Sequence, residues 1–238
     1  MKDMRALRAI VYSLVFLLFS CAKIVVVEDI SATKMIKINT SKEKDSHLIL
    51  DLRSRELYQK GHLDFAINIP KDELPQRVGE IIDLKSRPIY IYARNADESF
   101  EAAQTLVNAG FETIFNAEGT EEYPYELVKF HTIRVFDIRH SVNSGCYFLI
   151  DYRTKSSYQQ EHFKGAINIP VGEIETNQRL LPRDKNRPIV VYCNTGITSM
   201  WGAKELVDMG YTNVSVVLEG ANSDVFVKEM DLENVKED

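Results

Sequence analysis

The sequence predicts an α/β fold made of two tandem domains, each a parallel β-sheet flanked by helices on both faces. Three observations lead to this prediction. The chain has 238 residues, which is enough for two modest domains. Short apolar, β-branched runs alternate with segments of helical periodicity, a pattern typical of parallel sheets covered by helices. The same motifs also occur twice, one hundred residues apart, which indicates an internal duplication.

The duplication is defined by stretches that keep a constant offset of one hundred residues. The matching stretches are 48–53 with 148–153, 58–62 with 158–162, 66–70 with 166–170, and 87–89 with 187–189. The offset then slips by one residue, so that Glu118-Gly119 corresponds to Glu219-Gly220. Two domains of about a hundred residues follow from this repeat. We place the first domain at residues 45–122 and the second at residues 123–238.

Apolar runs and helical periodicity define the elements of the second repeat. We expect strands at Phe148–Ile150, Ala166–Ile169, Ile189–Tyr192 and Val214–Leu218, and helices at Ser156–Glu161, in part of Glu173–Leu181, and at Ser199–Met209. Ahead of the first domain, residues 21–44 are predicted to form a tether and a first strand. We place that strand at Lys34–Ile38, where apolar and basic residues alternate.

The first twenty residues have the pattern of a secretory signal. Three basic residues lie within residues 2–8, and an apolar run, Ala9–Phe19, follows them. The run ends at Leu18-Phe19-Ser20-Cys21, which resembles the lipobox of bacterial lipoproteins. We therefore expect residues 1–20 to be a signal peptide, Cys21 to be lipidated, and the protein to be exported to the cell envelope, with the lipid as its only membrane attachment. A plain signal peptide or an N-terminal anchor helix is the alternative.

Charge and cysteine content exclude several classes of function. The net charge of −6, without a basic stripe, argues against a nucleic-acid partner. The three cysteines are too few for a disulfide framework, and the sequence indicates neither a metal site nor a cofactor. Cys146 begins an apolar run, so we expect it to be a buried core residue.

One cysteine, Cys193, lies where nucleophilic chemistry is favoured. The strand Ile189–Tyr192 leads directly into it, and the helix Ser199–Met209 follows, with Gly210 as its stop. Ligand sites of open parallel sheets lie beyond the carboxyl ends of the strands. Loop N–H groups and the positive end of a helix dipole favour a thiolate there. Cys193 is therefore the predicted nucleophile.

Both repeats resemble rhodanese (sulfurtransferase) domains. In the second repeat the resemblance is carried by Asp151-Tyr152-Arg153, by Tyr158–Pro170, and by Cys193–Thr198, which is similar to the family's active loop C-x-x-G-x-[RT]. The resemblance implies that Cys193 takes a sulfur atom from a thiosulfate- or mercaptopyruvate-type donor as a persulfide. Cyanide or a thiol would then accept the sulfur, and a thioredoxin-like reductant is a candidate partner.

The residues around Cys193 have expected roles. The loop that would bind substrate and persulfide consists of Asn194, Thr195, Gly196, Ile197, Thr198 and Ser199. Gly196 is expected to let the backbone turn an N–H inward. Thr198 and Ser199 are expected to cap the helix, with donation to the persulfide as the alternative. Asp151, Arg153 and His162 are predicted to support the structure rather than to react. Trp201 is expected to pack within the helix layer.

The first repeat lacks the nucleophile. Its residue at the position of Cys193 is Ala93, and Ala96 replaces the loop glycine. Asp97 and Glu98 would also repel an anionic donor. We therefore expect this copy to be inactive, with a structural or docking role.

Three other functions were weighed against sulfur transfer. Phosphatase or arsenate reductase loops of the form C-x5-R need an arginine where this chain has Ser199, so that chemistry is disfavoured. A non-catalytic scaffold on the cell envelope and a redox-sensing Cys193 stay open. Since Asn194, Thr195 and Thr198 bring no charge to the loop, we also hypothesise weak turnover of thiosulfate.

Overall fold

The computed structural model of the protein describes residues 25–39, 44–138, 144–224 and 226, together with the backbone of 232–234. The chain divides into two compact units, Met1–Leu127 and Val128–Asp238, called the first and second unit below. The predicted signal peptide and Cys21 lie outside the described residues. Among the residues described, no helix has both the length and the apolar character needed to cross a bilayer.

The first unit contains a five-stranded parallel sheet with the order β1-β5-β4-β2-β3. Its strands are β1 (Val27–Ile30), β2 (Leu48–Asp51), β3 (Ile67–Asn68), β4 (Ile89–Tyr92) and β5 (Ile114–Ala117). Its helices are α1 (Ala32–Asn39), α2 (Arg55–Lys60), α3 (Leu74–Arg77) and α4 (Ala96–Asn108), and a 3-10 segment spans Val78–Leu84.

The second unit repeats this sheet with the order β6-β11-β10-β7-β9. The strands are β6 (His131–Ile133), β7 (Phe148–Asp151), β9 (Ile167–Asn168), β10 (Ile189–Tyr192) and β11 (Val214–Val217). The helices are α5 (Val135–Ile138), α6 (Lys155–Gln160) and α7 (Thr198–Asp208), and a 3-10 turn spans Gln178–Leu180. The short strands β8 (Glu161–Phe163) and β12 (Leu232–Asn234) pair antiparallel.

The cores explain why the apolar runs become strands. Every residue of β4 and of β10 is buried, as expected for central strands covered on both faces. In the second unit, Val190 and Tyr192 pack with Phe163 and Phe226 on one face of the sheet. The predicted α/β class with two parallel-sheet domains is confirmed.

One predicted detail of local structure is wrong. Lys34–Ile38 is helical rather than a strand, because Ala32, Met35 and Asn39 recur at helical spacing and are buried in α1. The first strand lies just before this helix, at Val27–Ile30.

Two side chains predicted to be buried are exposed. Cys146 lies ahead of the first residue of β7, outside the sheet, and not in the core. Trp201 lies on the solvent side of α7 with 63% of its surface exposed, so it does not pack within the helix layer. Both residues have apolar neighbours in the sequence, but neither lies on the buried face of a strand or helix.

Candidate active site

The candidate site lies at the carboxyl edge of the sheet in the second unit. Central strand β10 ends at Tyr192, which pairs in register with Asp151 at the end of β7. Cys193 follows at once, and the next residues form a loop that leads into α7 at Thr198. The sequence places a cysteine here because a buried β-branched strand ends where a glycine-containing loop can turn.

The Cys193 side chain is held by hydrogen bonds from the start of α7. Cys193 is 2% exposed. The backbone N–H of Ser199 donates to Sγ at 3.4 Å, and the thiol lies 3.4 Å from the Ser199 hydroxyl oxygen. That hydroxyl also donates to the Gly196 carbonyl at 3.2 Å. When the sulfur is a thiolate, the same hydroxyl can turn its proton toward it.

The environment of Cys193 favours the thiolate. Burial raises the pKa of a thiol, but here it is outweighed by hydrogen bonds to the sulfur. These come from the hydroxyls of Ser199 and Thr198 and from the backbone N–H groups of Ser199 and Thr195, and they place the pKa of Cys193 below its ordinary value. The N-terminus of the eleven-residue helix α7 acts in the same direction.

Gly196 gives the loop its shape. Its φ of +76° lies in the left-handed region, which a residue with a Cβ adopts only with strain. Helix α7 therefore starts at Thr198, after the loop has passed around the sulfur, and its N-cap residue Ile197 makes no side-chain capping bond. The expectation that Thr198 or Ser199 caps the helix is wrong, because both hydroxyls interact with Cys193 instead.

The segment that follows β11 holds the loop in place by backbone hydrogen bonds. In the sequence this segment served only to align the two repeats. The N–H groups of Ala221 and Asn222 donate to the carbonyls of Cys193 and Asn194 at 2.9 and 3.0 Å. Gly220 approaches so closely that a Cβ there would lie 2.1 Å from the Asn194 carbonyl oxygen. The Glu-Gly pair that both repeats share, Glu118-Gly119 and Glu219-Gly220, is the sequence feature from which this contact could have been predicted.

Asp151 and Arg153 form a buried brace beside the loop. Arg153 Nη2 and Asp151 Oδ2 are 2.8 Å apart, and the guanidinium also donates to the Glu161 carbonyl at 2.6 Å. Asn168 donates to the backbone carbonyls of Asp151 and Arg153 at 3.0 and 2.9 Å. These bonds join the ends of β7, β9 and α6, and none of them involves the Cys193 sulfur.

His162 lies in the same supporting framework. Its Nδ1 is 2.8 Å from the Tyr158 carbonyl oxygen, and its ring stacks on Tyr158 with centroids 3.8 Å apart. The Tyr158 hydroxyl donates to the Ala166 carbonyl at 2.7 Å. His162, four residues after Tyr158, thus bonds to the last turn of α6 and packs against the Tyr158 ring.

The second unit has a close contact that the sequence did not indicate. A Cβ at Gly202 would lie 2.3 Å from the Tyr152 ring, so the ring lies directly against the backbone of α7. Tyr152 is 2% exposed, and its hydroxyl has no hydrogen-bond partner. Burial, and less strongly the charge of Glu205, raise the pKa of Tyr152 far above its ordinary value.

The corresponding loop of the first unit has a different conformation. Ala93 replaces the cysteine, and α4 begins at Ala96, two positions earlier than α7 does in its own repeat. The Asn95 side chain caps this helix by accepting from Glu98 N–H at 3.0 Å. The Glu122 carboxylate accepts from Ala96 N–H at 2.9 Å. The N–H groups of Ala96 and Glu98, at the start of α4, thus donate to side chains of the protein itself.

Among the residues that the structure describes, no group of three or more His, Cys, Asp or Glu side chains is placed to hold a metal ion. The loop contains no arginine to clamp phosphoryl oxygens. What the loop does provide is N–H and O–H donors around one ionisable sulfur.

Comparisons with known proteins agree with this geometry. The chain is 46% identical over 65 residues to the thiosulfate sulfurtransferase PspE of Escherichia coli, covering 27% of this chain and 62% of that protein. It is 38% identical over 71 residues to the uncharacterized protein YqhL of Bacillus subtilis, covering 30% of this chain and 55% of YqhL. The chain thus spans less than two thirds of the length of either relative.

Two solved structures are similar to parts of the chain. A thiosulfate sulfurtransferase from Pseudomonas aeruginosa matches 88% of this chain and 44% of its own length, with 17% identity and a TM-score of 0.38. A structure titled as a rhodanese with anions, from E. coli, matches 37% of this chain and 98% of its own, with 36% identity and a TM-score of 0.32.

The family model described as "Rhodanese-like domain" matches this chain twice, over residues 35–122 and 137–224. These two matches together cover most of the chain and fall on the two repeats. With both copies matched, the chain belongs to the rhodanese-like family of sulfurtransferase-related proteins, as a tandem of two such domains.

Proposed function

We propose that this protein is a sulfurtransferase that carries sulfane sulfur on Cys193 of its second unit. The observation that supports this most directly is the ring of hydrogen-bond donors around the Cys193 sulfur, which lowers the pKa of the thiol despite its burial. A persulfide, R–S–S⁻, places its negative charge one atom further out. The N–H groups of the loop and of the first turn of α7 can stabilise that charge.

The transfer has two balanced steps. The Cys193 thiolate attacks the outer sulfur of thiosulfate; a sulfur–sulfur bond forms, and the donor's own sulfur–sulfur bond breaks as sulfite leaves with the electron pair. With a mercaptopyruvate-type donor, the pair leaves on carbon as an enolate and takes a proton from water. An acceptor thiolate, or cyanide, then attacks the outer sulfur of the persulfide, and the Cys193 thiolate is regenerated.

Cys146 is too far from Cys193 to accept its sulfur, so the sulfur acceptor is a separate molecule. Cys146 precedes the amino end of β7, whereas Cys193 follows the carboxyl end of its neighbour β10. Four strand residues, roughly 13 Å, separate the two ends, so the two sulfurs cannot form a bond. A separate thiol, such as that of a thioredoxin-like reductant, or a small acceptor such as cyanide, fits this geometry.

Formation of the persulfide tests the proposal directly. The protein is incubated with thiosulfate or with mercaptopyruvate, and the Cys193 peptide is analysed by mass spectrometry. A gain of about 32 Da on that peptide, lost on addition of cyanide, is the expected result. No adduct from either donor would favour the scaffold function. Sulfenic acid trapped under peroxide, without a persulfide from donors, would favour the redox sensor.

We also propose that the protein is exported and held at the cell envelope by a lipid on Cys21. The basic residues, the apolar run Ala9–Phe19 and the Leu18–Cys21 sequence support this location. Cys21→Ala is the test in the native host. The wild-type protein should appear in the membrane fraction and carry a fatty acyl label, and the variant should lose both. An unlabelled wild-type protein would contradict the proposal.

A further inference from the structure

One buried tyrosine of the second unit connects the strand ends beside Cys193 to helix α7. The Tyr152 N–H donates to the carbonyl of Tyr192, which directly precedes Cys193, at 2.9 Å. The Tyr152 ring lies against α7 at Gly202, where an added Cβ would be 2.6 Å from the Tyr152 hydroxyl oxygen. Any side chain at position 202 would therefore displace this hydroxyl. Tyr152 thus links the carboxyl edge of the sheet to the middle of α7.

Two buried oxygens near this contact have no hydrogen-bond partner within the described part of the chain. They are the hydroxyl oxygen of Tyr152 and Oε2 of Glu205. Glu205 lies three residues after Gly202, and therefore on the same side of α7. After burial, the charge of Glu205 is the second cause of the raised pKa of Tyr152, as expected for a carboxylate near the ring. The hydroxyl is a donor and the carboxylate an acceptor, so each can satisfy the other.

The same side of α7 reaches the Cys193 sulfur one turn earlier. Ser199, three residues before Gly202, donates its N–H to Sγ at 3.4 Å. The N-cap residue Ile197 makes no side-chain capping bond, so the first turn of α7 has no such bond to fix it. Its position therefore depends on how the following turns are held against the sheet. A bond between Glu205 and the sheet edge would hold the turn that follows Gly202.

The first unit has different residues at all three positions. They are Leu52, Ala102 and Thr105, in place of the tyrosine, the glycine and the glutamate. A leucine has no hydroxyl to donate. The start of α4 is instead capped by the Asn95 side chain, which accepts from Glu98 N–H at 3.0 Å. The tyrosine and the glutamate thus occur together in the unit that has the cysteine and an uncapped helix.

We propose that the Tyr152 hydroxyl donates a hydrogen bond to the Glu205 carboxylate, and that this bond positions α7 for the reaction of Cys193. Its role in sulfur transfer rests on the function proposed above, whereas the bond itself does not. Both are positioning residues, since the groups that bond to the sulfur belong to other residues. They act through Ser199, whose N–H and hydroxyl lie 3.4 Å from Sγ. Without the bond α7 can shift, these contacts lengthen, and the thiolate is less stabilised.

Conservative variants at both positions test the bond. Tyr152→Phe keeps the ring against Gly202 and removes only the hydroxyl. Glu205→Ala removes the acceptor, whereas Glu205→Gln keeps a side-chain oxygen that can accept a hydrogen bond. For each variant, the rate of alkylation of Cys193 is measured against pH by mass spectrometry of its peptide. The rate constant for persulfide formation on Cys193 is measured with thiosulfate and with mercaptopyruvate.

Loss of either partner should reduce the reactivity of Cys193. In Tyr152→Phe and in Glu205→Ala, the midpoint of the pH–rate profile should move to higher pH, and persulfide formation at pH 7 should fall by about threefold to tenfold. The double variant should be no slower than the slower single variant, because both changes remove the same bond. Glu205→Gln should keep a profile close to that of the wild type.

Tyr211→Phe is the matched control. Tyr211 is also a buried tyrosine of the second unit, and its hydroxyl donates to the Pro182 carbonyl at 2.8 Å. It precedes the amino end of β11, at the edge of the sheet opposite Cys193. Loss of this hydroxyl should lower the free energy of unfolding and leave the Cys193 profile unchanged. The control thus separates positioning of α7 from a general loss of stability.

The outcomes separate the bond from the function. If Tyr152→Phe reacts like the wild type, or if its effect adds to that of Glu205→Ala in the double variant, the bond is wrong while sulfur transfer stands. Glu205→Gln reacting as slowly as Glu205→Ala would also overturn the bond. If neither donor loads Cys193 in the folded wild-type protein, sulfur transfer fails, and the alkylation profiles still decide on the bond. Circular dichroism of each variant establishes that it is folded.

Discussion

The two loops at 93–99 and 193–199 occupy the same place in two copies of one fold, yet they use their N–H groups differently. In the second unit the Ser199 N–H points at a sulfur. In the first unit Glu98 N–H is taken by Asn95, and Ala96 N–H by the Glu122 carboxylate. That carboxylate also accepts from Gly119 N–H at 2.8 Å. Side chains of the first unit thus accept from two N–H groups of its loop: the Asn95 amide oxygen from Glu98, and the Glu122 carboxylate from Ala96.

The two loops therefore differ in more than the presence of a cysteine. At the position of Glu122 the second unit has Ser223, since both N–H groups donate to the carbonyl of the preceding Gly119 or Gly220. Three features distinguish the second unit. Gly196 has a left-handed backbone conformation, the N-cap of α7 makes no side-chain capping bond, and the small residue Ser223 stands at the position of Glu122. Each of these features can be changed by mutation.

Loss of the nucleophile should have the largest effect. Cys193→Ser is expected to abolish persulfide formation, a fall of at least about a thousandfold, because a serine hydroxyl is not ionised at neutral pH. The matched control is Cys146→Ser, which removes an exposed thiol at the other end of the sheet. Mass spectrometry of both variants checks this. Persulfide on Cys146 in the Cys193→Ser variant would contradict our assignment.

The Tyr152–Gly202 contact predicts a stability effect confined to the second unit. Gly202→Ala should destabilise the fold by about 2 kcal/mol, because the added methyl overlaps the Tyr152 ring. Adding Tyr152→Leu should recover most of this loss, since the first unit has Leu52 and Ala102 at the corresponding positions. Chemical denaturation of the single and double variants measures both effects. A double variant no more stable than Gly202→Ala would contradict the proposed contact.

Ser199 should set the pH at which Cys193 reacts. Ser199→Ala removes a hydroxyl that stabilises the thiolate, so the pKa of Cys193 should rise. The rate of alkylation of Cys193 at pH 7 should fall by roughly several fold, and the midpoint of the pH–rate profile should move to higher pH. Ser99→Ala, at the equivalent position of the first unit, is the control. An unchanged profile in Ser199→Ala would show that other donors suffice.

Restoring only the cysteine of the first unit should have the smallest effect. In a Cys193→Ser background, we expect Ala93→Cys to form little or no persulfide, because Asn95 and Glu122 occupy the loop amides. Adding Glu122→Ser and Ala96→Gly should increase persulfide on the new cysteine by several fold. Efficient loading by Ala93→Cys alone would mean that occupied amides do not keep this unit inactive. Donor incubation and mass spectrometry decide between the two results.

Much of the fold was predictable because the sequence repeats it. The strand at Ile189–Tyr192 is a run of buried, mostly β-branched residues, and the structure has it with the same bounds. The alternation of such runs with helical segments was sufficient to predict the two parallel sheets. The position of Cys193 at a strand end followed from the same pattern.

What could not be predicted depends on contacts between distant residues. Nothing in the sequence near Glu122 indicates that its carboxylate bonds to an amide 26 positions earlier. The Tyr152–Gly202 contact likewise joins a strand end to a helix fifty residues away. For Lys34–Ile38, a short alternating run fitted a strand and a helix alike, and packing of Met35 against the first core decided for the helix.

The exposure of Cys146 has a practical consequence for chemistry at Cys193. A soluble thiol reagent will meet the exposed sulfur first, whereas the sulfur that we expect to carry cargo is 2% exposed. In a titration of the thiols of the wild-type protein, Cys146 would therefore react before Cys193. Replacing both Cys146 and Cys21 by serine makes the same titration specific for Cys193.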